Sequence, residues 1–169
     1  MVILPLLLAL AGQAEAAEDM LTPARQGMIR CTSPDPARKT CSTLTRFTMR
    51  PDGGFDAEVT GVGGPAGIQV HYKMPGTLVG GAVCFVHRAD TLAGASFTKP
   101  DARLAQSLQD TLRTRLAAAL APYNGRQRCY RDRIENGALV AKTMLDGVAH
   151  PELDRTVLWV AAGDGYKVE

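Results

Sequence analysis

The sequence predicts an α+β fold: an antiparallel meander or roll of about six to seven strands, with one long amphipathic helix packed on one face and two disulfides. Three observations predict it. Short alternating or apolar runs recur between Gly- and Pro-rich turns. One segment alone, residues 98–121, carries a helical period, with Leu104, Leu108, Leu112, Leu116 and Leu120 at every fourth position. Four cysteines, Cys31, Cys41, Cys84 and Cys129, are spaced to tie local units together.

Taken in order, Thr22-Pro23 marks the start of a short helix over residues 23–28, since Pro fits the first helical turn. Ser33-Pro34-Asp35-Pro36 is turn chemistry. Residues 43–50 and 55–62 read as strands joined through Pro51-Asp52-Gly53-Gly54. After a glycine cluster at 61–67, residues 68–74 alternate cleanly: Ile68, Val70, Tyr72 and Met74 face one way, Gln69, His71 and Lys73 the other. Pro75-Gly76 is expected to end that strand. Residues 81–88 are almost continuously apolar and read as a strand buried on both sides. Thr98 is the expected cap of the long helix, with Asp101 near its positive end. Pro122 and Asn124-Gly125 terminate it. Residues 126–133 read as an arginine-rich loop. Residues 138–145, 156–162 and 166–168 are the remaining strands, separated by Asp146-Gly147 and Gly163-Asp164-Gly165.

The amino terminus has another character. Residues 2–11 are nearly all apolar and precede Ala14-Glu15-Ala16, the small-residue pattern of a signal cleavage site. The run is too short for a membrane span, which needs about 20 residues. Residues 1–16 are therefore expected to be a signal peptide and 17–169 a single α+β domain. No Lys or Arg precedes Arg25, so the basic leader segment is missing, and further residues are expected upstream of Met1. Periplasmic or secreted localisation follows. An even cysteine count then reads as disulfides. Cys31 and Cys41 enclose a turn-rich segment, which leaves Cys84 and Cys129 for each other. The rival reading, a zinc site, lacks any C-x-x-C or H-x-x-x-H spacing.

Motifs for catalysis are sparse. Cys84 and His87 lie three apart, and on a strand such residues point to opposite faces. His71 and His150 share no metal-binding spacing, and neither G-x-S-x-G nor S-x-x-K occurs. Asp56, Glu58, Glu135 and Asp146 are available as paired carboxylates, but so are acids in any globular chain. Trp159 and Tyr166 form either a ligand platform or, more simply, a core Trp and an edge Tyr. The glycine cluster is followed by no Gly-Lys-Ser/Thr, so no phosphate loop is read. No cofactor, no metal, no stable membrane insertion and, at a net charge of +2, no nucleic acid is expected.

Arg126, Arg128, Arg131 and Arg133 are the strongest lead. Guanidiniums this dense grip phosphate or carboxylate bidentately, unless they simply pair with Asp132 and Glu135 in a solvated loop. The functional expectation is an exported, non-catalytic protein that binds an anionic envelope component or a protein partner through its surface. The alternatives are a small periplasmic hydrolase with scattered carboxylates and a structural envelope component.

Overall fold

The computed structural model describes residues 19–65, 67–100 and 102–169. The expected signal peptide and Asp101 lie outside them. Eight antiparallel strands carry the fold: β1 (Ile29–Thr32), β2 (Thr43–Met49), β3 (Phe55–Val62), β4 (Gln69–Val79), β5 (Ala82–Val86), β6 (Gln127–Glu135), β7 (Ala138–Leu145) and β8 (Arg155–Val160). Each pairs with its neighbours in the chain, and β8 pairs back onto β1. The sheet is a closed eight-stranded barrel.

This corrects the expected open sheet with a helix on one face. Two strands that the sequence reading did not assign make the difference. β1 is only four residues long, yet it bridges β8 and β2: Arg30 lies opposite Trp159 on one side and Thr45 on the other. The arginine-rich segment expected as a loop is β6, paired with β5 and β7. With both in place no edge is left, which removes the usual liability of exposed strand backbone.

The helix also differs. Residues 96–98 form a short strand beside β4, so Thr98 is no cap; its hydroxyl meets His71 Nε2 at 2.7 Å instead. The helix proper is Gln106–Leu120, followed by a 3-10 turn, Ala121–Tyr123. Only Leu112 is buried, against Ile68, Val70, Ala95 and Phe97, while Leu108 is 40% exposed. Leucines four apart advance by about 40° per step around a helix, so a long row winds away from any one surface. The helix sits on the excursion between β5 and β6, not on a broad sheet face.

Pro75-Gly76 does not end β4. Residues 69–71 pair with the 96–98 strand and pairing with β5 begins at Gly76, so Pro75 falls where one flank of the strand has no partner. Gly76 lies on the inner wall between Phe55 and Phe85, and a Cβ there would overlap the Phe55 ring and come within 2.7 Å of the Cys84 carbonyl oxygen. The Asn136-Gly137 and Asp146-Gly147 turns have positive φ at both residues, as two-residue hairpins require.

One barrel end is closed by apolar packing. Leu21, fully buried, and Met20 and Ala24 of the segment around the short helix Thr22–Arg25 insert over Phe47 and Phe55. Phe47 meets Phe55 edge-on at 5.4 Å, Phe55 meets Phe85 at 5.3 Å, and Trp159 tilts onto Phe47 at 5.9 Å. The outer wall carries Arg46, Asp56, Glu58, Lys73, Arg133 and Lys142, a solvated surface. Among the described residues no helix is long and apolar enough to cross a membrane.

Two disulfides reinforce the barrel. Cys31–Cys41 ties β1 to the segment preceding β2. Cys84–Cys129 joins directly opposed residues of β5 and β6 and closes the excursion 87–126. Chain entropy gives roughly 3 kcal/mol for the short loop and about 4 kcal/mol for the long one. Both bonds are compatible with an exported protein.

Candidate functional site

Cys129 fixes the geometry of β6. Its side chain joins Cys84 on the outer side of the wall, so alternation turns Arg128, Tyr130 and Asp132 inward and Arg131 and Arg133 outward. The expected arginine cluster is therefore divided. Arg126 lies just before the strand and pairs with Asp146 at 2.7 Å. Arg131 donates to the Gly80 carbonyl oxygen. Arg133 is exposed. Arg131 and Arg133 border a groove of about 620 Å³ beside the N-terminal helix, shared with Asp19, Asp132 and apolar Met20, Ile134 and Trp159. Neither sign of charge prevails there. Glu135, one expected partner of the arginines, pairs with Lys142 at 3.1 Å.

Arg128 enters the barrel. At the end away from Leu21 the interior is not filled, and a cavity of about 250 Å³ remains. An eight-stranded barrel is just wide enough for its own side chains or for one small ligand. The lining has two halves. Arg30, Thr32, Ser42, Thr43, Thr45, Arg128, Tyr130, Thr143 and Arg155 supply cations and hydroxyls, whereas Phe47, Val59, Met74 and Phe85 are apolar.

Two guanidiniums approach one phenol ring. Arg128 lies over Tyr130 at 4.9 Å and Arg30 lies over the same ring at 5.7 Å. Each such contact contributes about 0.5–2 kcal/mol, more when dry. Their other partners differ. Arg30 Nη2 donates to Asp132 at 2.8 Å, with both side chains more than nine-tenths buried. Arg30 Nε and Asp132 Oδ2 are buried without partners. Arg128 has no carboxylate partner among the described residues, and its buried Nε has no acceptor. A half-buried guanidinium with a shielded, unused donor is costly unless an anion meets it.

Desolvation acts on the neighbours. It pushes the Tyr72 hydroxyl up to about 12, with Tyr130 adding to the shift and Arg128 opposing it. Tyr130 is raised for the same reason, against the pull of Arg128 and Arg30. Both phenols stay protonated at neutral pH and remain hydrogen-bond donors. His87, 5% exposed, lies next along the chain from β5, with its ring 6.2 Å from Tyr123. Burial, then the charge of Arg128, holds its pKa below the usual histidine range, and neither ring nitrogen has a partner. The cavity end thus holds an excess of positive charge and a neutral imidazole nearby.

The other candidates do not converge. Asp56, Glu58, Glu135 and Asp146 pair with Arg50, Lys73, Lys142 and Arg126, and none lines the cavity. His71 sits on the outer wall between the Thr60 and Thr98 hydroxyls. His150 pairs with Glu152. Trp159 belongs to the apolar floor and Tyr166 to the cluster around Cys31 and Cys41. Among the described residues no group of three His, Cys, Asp or Glu could hold a metal ion. The sequence reading missed Arg30, Tyr72, Tyr130 and Asp132 as site residues. The alternation Arg128-Cys129-Tyr130-Arg131-Asp132 was the available signal. Comparison of the chain with protein-family models, with curated proteins and with solved structures found no match.

Removing Asp132 alone strands Arg30. Asp132→Ala is expected to cost about 3–5 kcal/mol in urea unfolding, whereas the double replacement Arg30→Met, Asp132→Leu should recover most of it; equal losses in both would show the pair is not isolated from water. A histidine whose folded pKa is depressed stays uncharged in the fold while the unfolded chain takes up a proton. Stability is then full above about pH 6.5 and falls as pH drops below it. Urea midpoints at pH 7.5 and 5.5 should show this fall in the wild type and a smaller one in His87→Leu. An identical fall in both would remove His87 as its source.

Proposed function

We propose that this is an exported, non-catalytic binding protein, periplasmic or secreted, that takes a small anion into the mouth of its barrel. The observation that carries the reading is Arg128: an inward guanidinium, bordering an open cavity, with a buried donor and no carboxylate to neutralise it. Tyr72 and Tyr130 stand beside it as protonated donors, and Arg155 and Thr43 lie at the rim. Arg30 is already engaged by Asp132, so the positive charge left over belongs to Arg128 and Arg155. Carboxylates and phosphates fit such a fork through paired, charge-assisted hydrogen bonds. The outward arginines are solvated or bound to a carbonyl, which supports an anion site in the interior in place of one on the surface. Two disulfides and the apolar leader support export.

Titration calorimetry of the oxidised full chain with hexanoate and with inorganic phosphate tests this reading. At least one of the two should bind, and Arg128→Met should weaken it tenfold or more, since loss of a buried charged partner costs about 2–5 kcal/mol. The double variant Arg131→Ser, Arg133→Ser should bind as the wild type does. Binding lost in the double variant and kept in Arg128→Met would return the site to the surface. Absence of binding by either probe would end the proposal.

A further inference from the structure

The cavity has both a polar and an apolar part to its lining, and that division specifies more than an anion. Along β2 the inward positions run Thr43, Thr45, Phe47, from the mouth towards the Leu21 end. β3 presents Gly61 and then Val59, opposite Val70 and Tyr72 of β4, and Met74 is the next inward residue of β4, opposite Ala57. β6 presents Arg128 and then Tyr130, opposite Phe85 and Val83. The cations of the lining other than Arg30, which is turned to Asp132, are Arg128 and Arg155, and Arg128 stands directly opposite Phe85. The apolar part of the lining is Phe47, Met74 and Phe85, each less than one-tenth exposed and clustered with Phe55.

We propose that the ligand is a short-chain monoanionic amphiphile, its carboxylate held at Arg128 and Tyr130 and its tail laid down the barrel against Phe47, Met74 and Phe85. The inference rests on the anion-site reading above and narrows it to a ligand class. Inorganic phosphate would satisfy the head and leave the apolar layer facing water. A neutral alkyl chain would fill that layer and leave Arg128 without an anion. Only a ligand with both parts meets both halves of the lining.

The depth sets the tail length. From Thr43 to Phe47 the strand rises about 13 Å, or roughly 10 Å along an axis from which strands tilt by about 40°. An extended chain of about six to eight carbons reaches that far. The volume, about 250 Å³, also lies below the usual range of drug-sized pockets, which begins near 300 Å³. A long fatty acyl chain does not fit without displacing the Leu21 plug.

Calorimetry with acetate, butyrate, hexanoate, octanoate and dodecanoate, alongside 1-hexanol and inorganic phosphate, reads out the class directly. Affinity is expected to rise about fourfold per methylene from butyrate to hexanoate. It should level off at octanoate and fall at dodecanoate, and 1-hexanol should bind at least tenfold more weakly than hexanoate. With ¹³C-methyl methionine labelling, hexanoate should shift the Met74 methyl signal. Anions that all bind alike, with phosphate equal to hexanoate and Met74 unmoved, would overturn the amphiphile and leave the anion site standing. Hexanol binding as tightly as hexanoate would overturn the anionic head. Binding of none of the probes would remove the anion site together with the inference built on it.

Discussion

Pairing of β1 with β8 is the constraint on which the structure depends. It is short, four residues facing four, from Ile29 opposite Val160 to Thr32 opposite Val157. Without it the sheet is an open ribbon whose inner face is wet. With it the sheet becomes a cylinder, and every inward residue of all eight strands shares one enclosed volume. Closure converts side chains far apart in sequence into neighbours: Arg30 meets Asp132 across 102 positions of chain. Cys31 of the Cys31–Cys41 bridge lies on the same strand, and Tyr166 packs on that bridge, so closure is braced beside its four-residue seam.

The filled volume then divides by chemistry. At the Leu21 end the phenylalanine cluster and Trp159 occupy the bore with apolar surface worth about 1.5–3 kcal/mol for each large side chain buried. Towards the mouth the lining also carries threonines, tyrosines and three guanidiniums. A well-packed apolar set would serve stability at least as well as the Arg30–Asp132 pair, because desolvation consumes most of the Coulomb attraction. Arg128 has no carboxylate and is met only by the rings of Tyr130 and Tyr123, at 4.9 and 5.8 Å, so it is harder to reconcile with stability alone. Inward polar groups of this kind accumulate where a binding site takes precedence over packing. Helix Gln106–Leu120, prominent in the sequence, contributes little to this core; it rests on Ile68, Val70 and Phe97 beside the barrel.

Most strands were legible because their period is local. Alternation at Ile68, Val70, Tyr72 and Met74 and the Asn136-Gly137 turn are properties of a few adjacent residues. What escaped was what depends on partners. β1 is too short to show a period, and its inward residues are Arg30 and Thr32, so it lacks the apolar mark by which strands are recognised. β6 failed for the same reason: inward arginine, tyrosine and aspartate read as a charged loop. In both cases a polar inward face hides the strand that carries it. The leucine row misled in the opposite direction, since a four-residue repeat suggests one apolar face although its members drift around the helix. Of the site, Arg128 was legible as a residue, but its inward direction, its separation from Arg131 and Arg133, and its neighbours Arg30 and Tyr72 required the closed wall.

Amide hydrogen exchange of the oxidised full chain, read residue by residue by NMR, tests closure most directly. The account predicts that backbone amides of β1 and β8 exchange as slowly as those of the β3–β4 pair, with cross-strand contacts between Arg30 and Trp159 in the same spectra. Fast exchange along Ile29–Thr32 with no contact to Trp159, beside a protected β3–β4 pair, would describe an open sheet and contradict it.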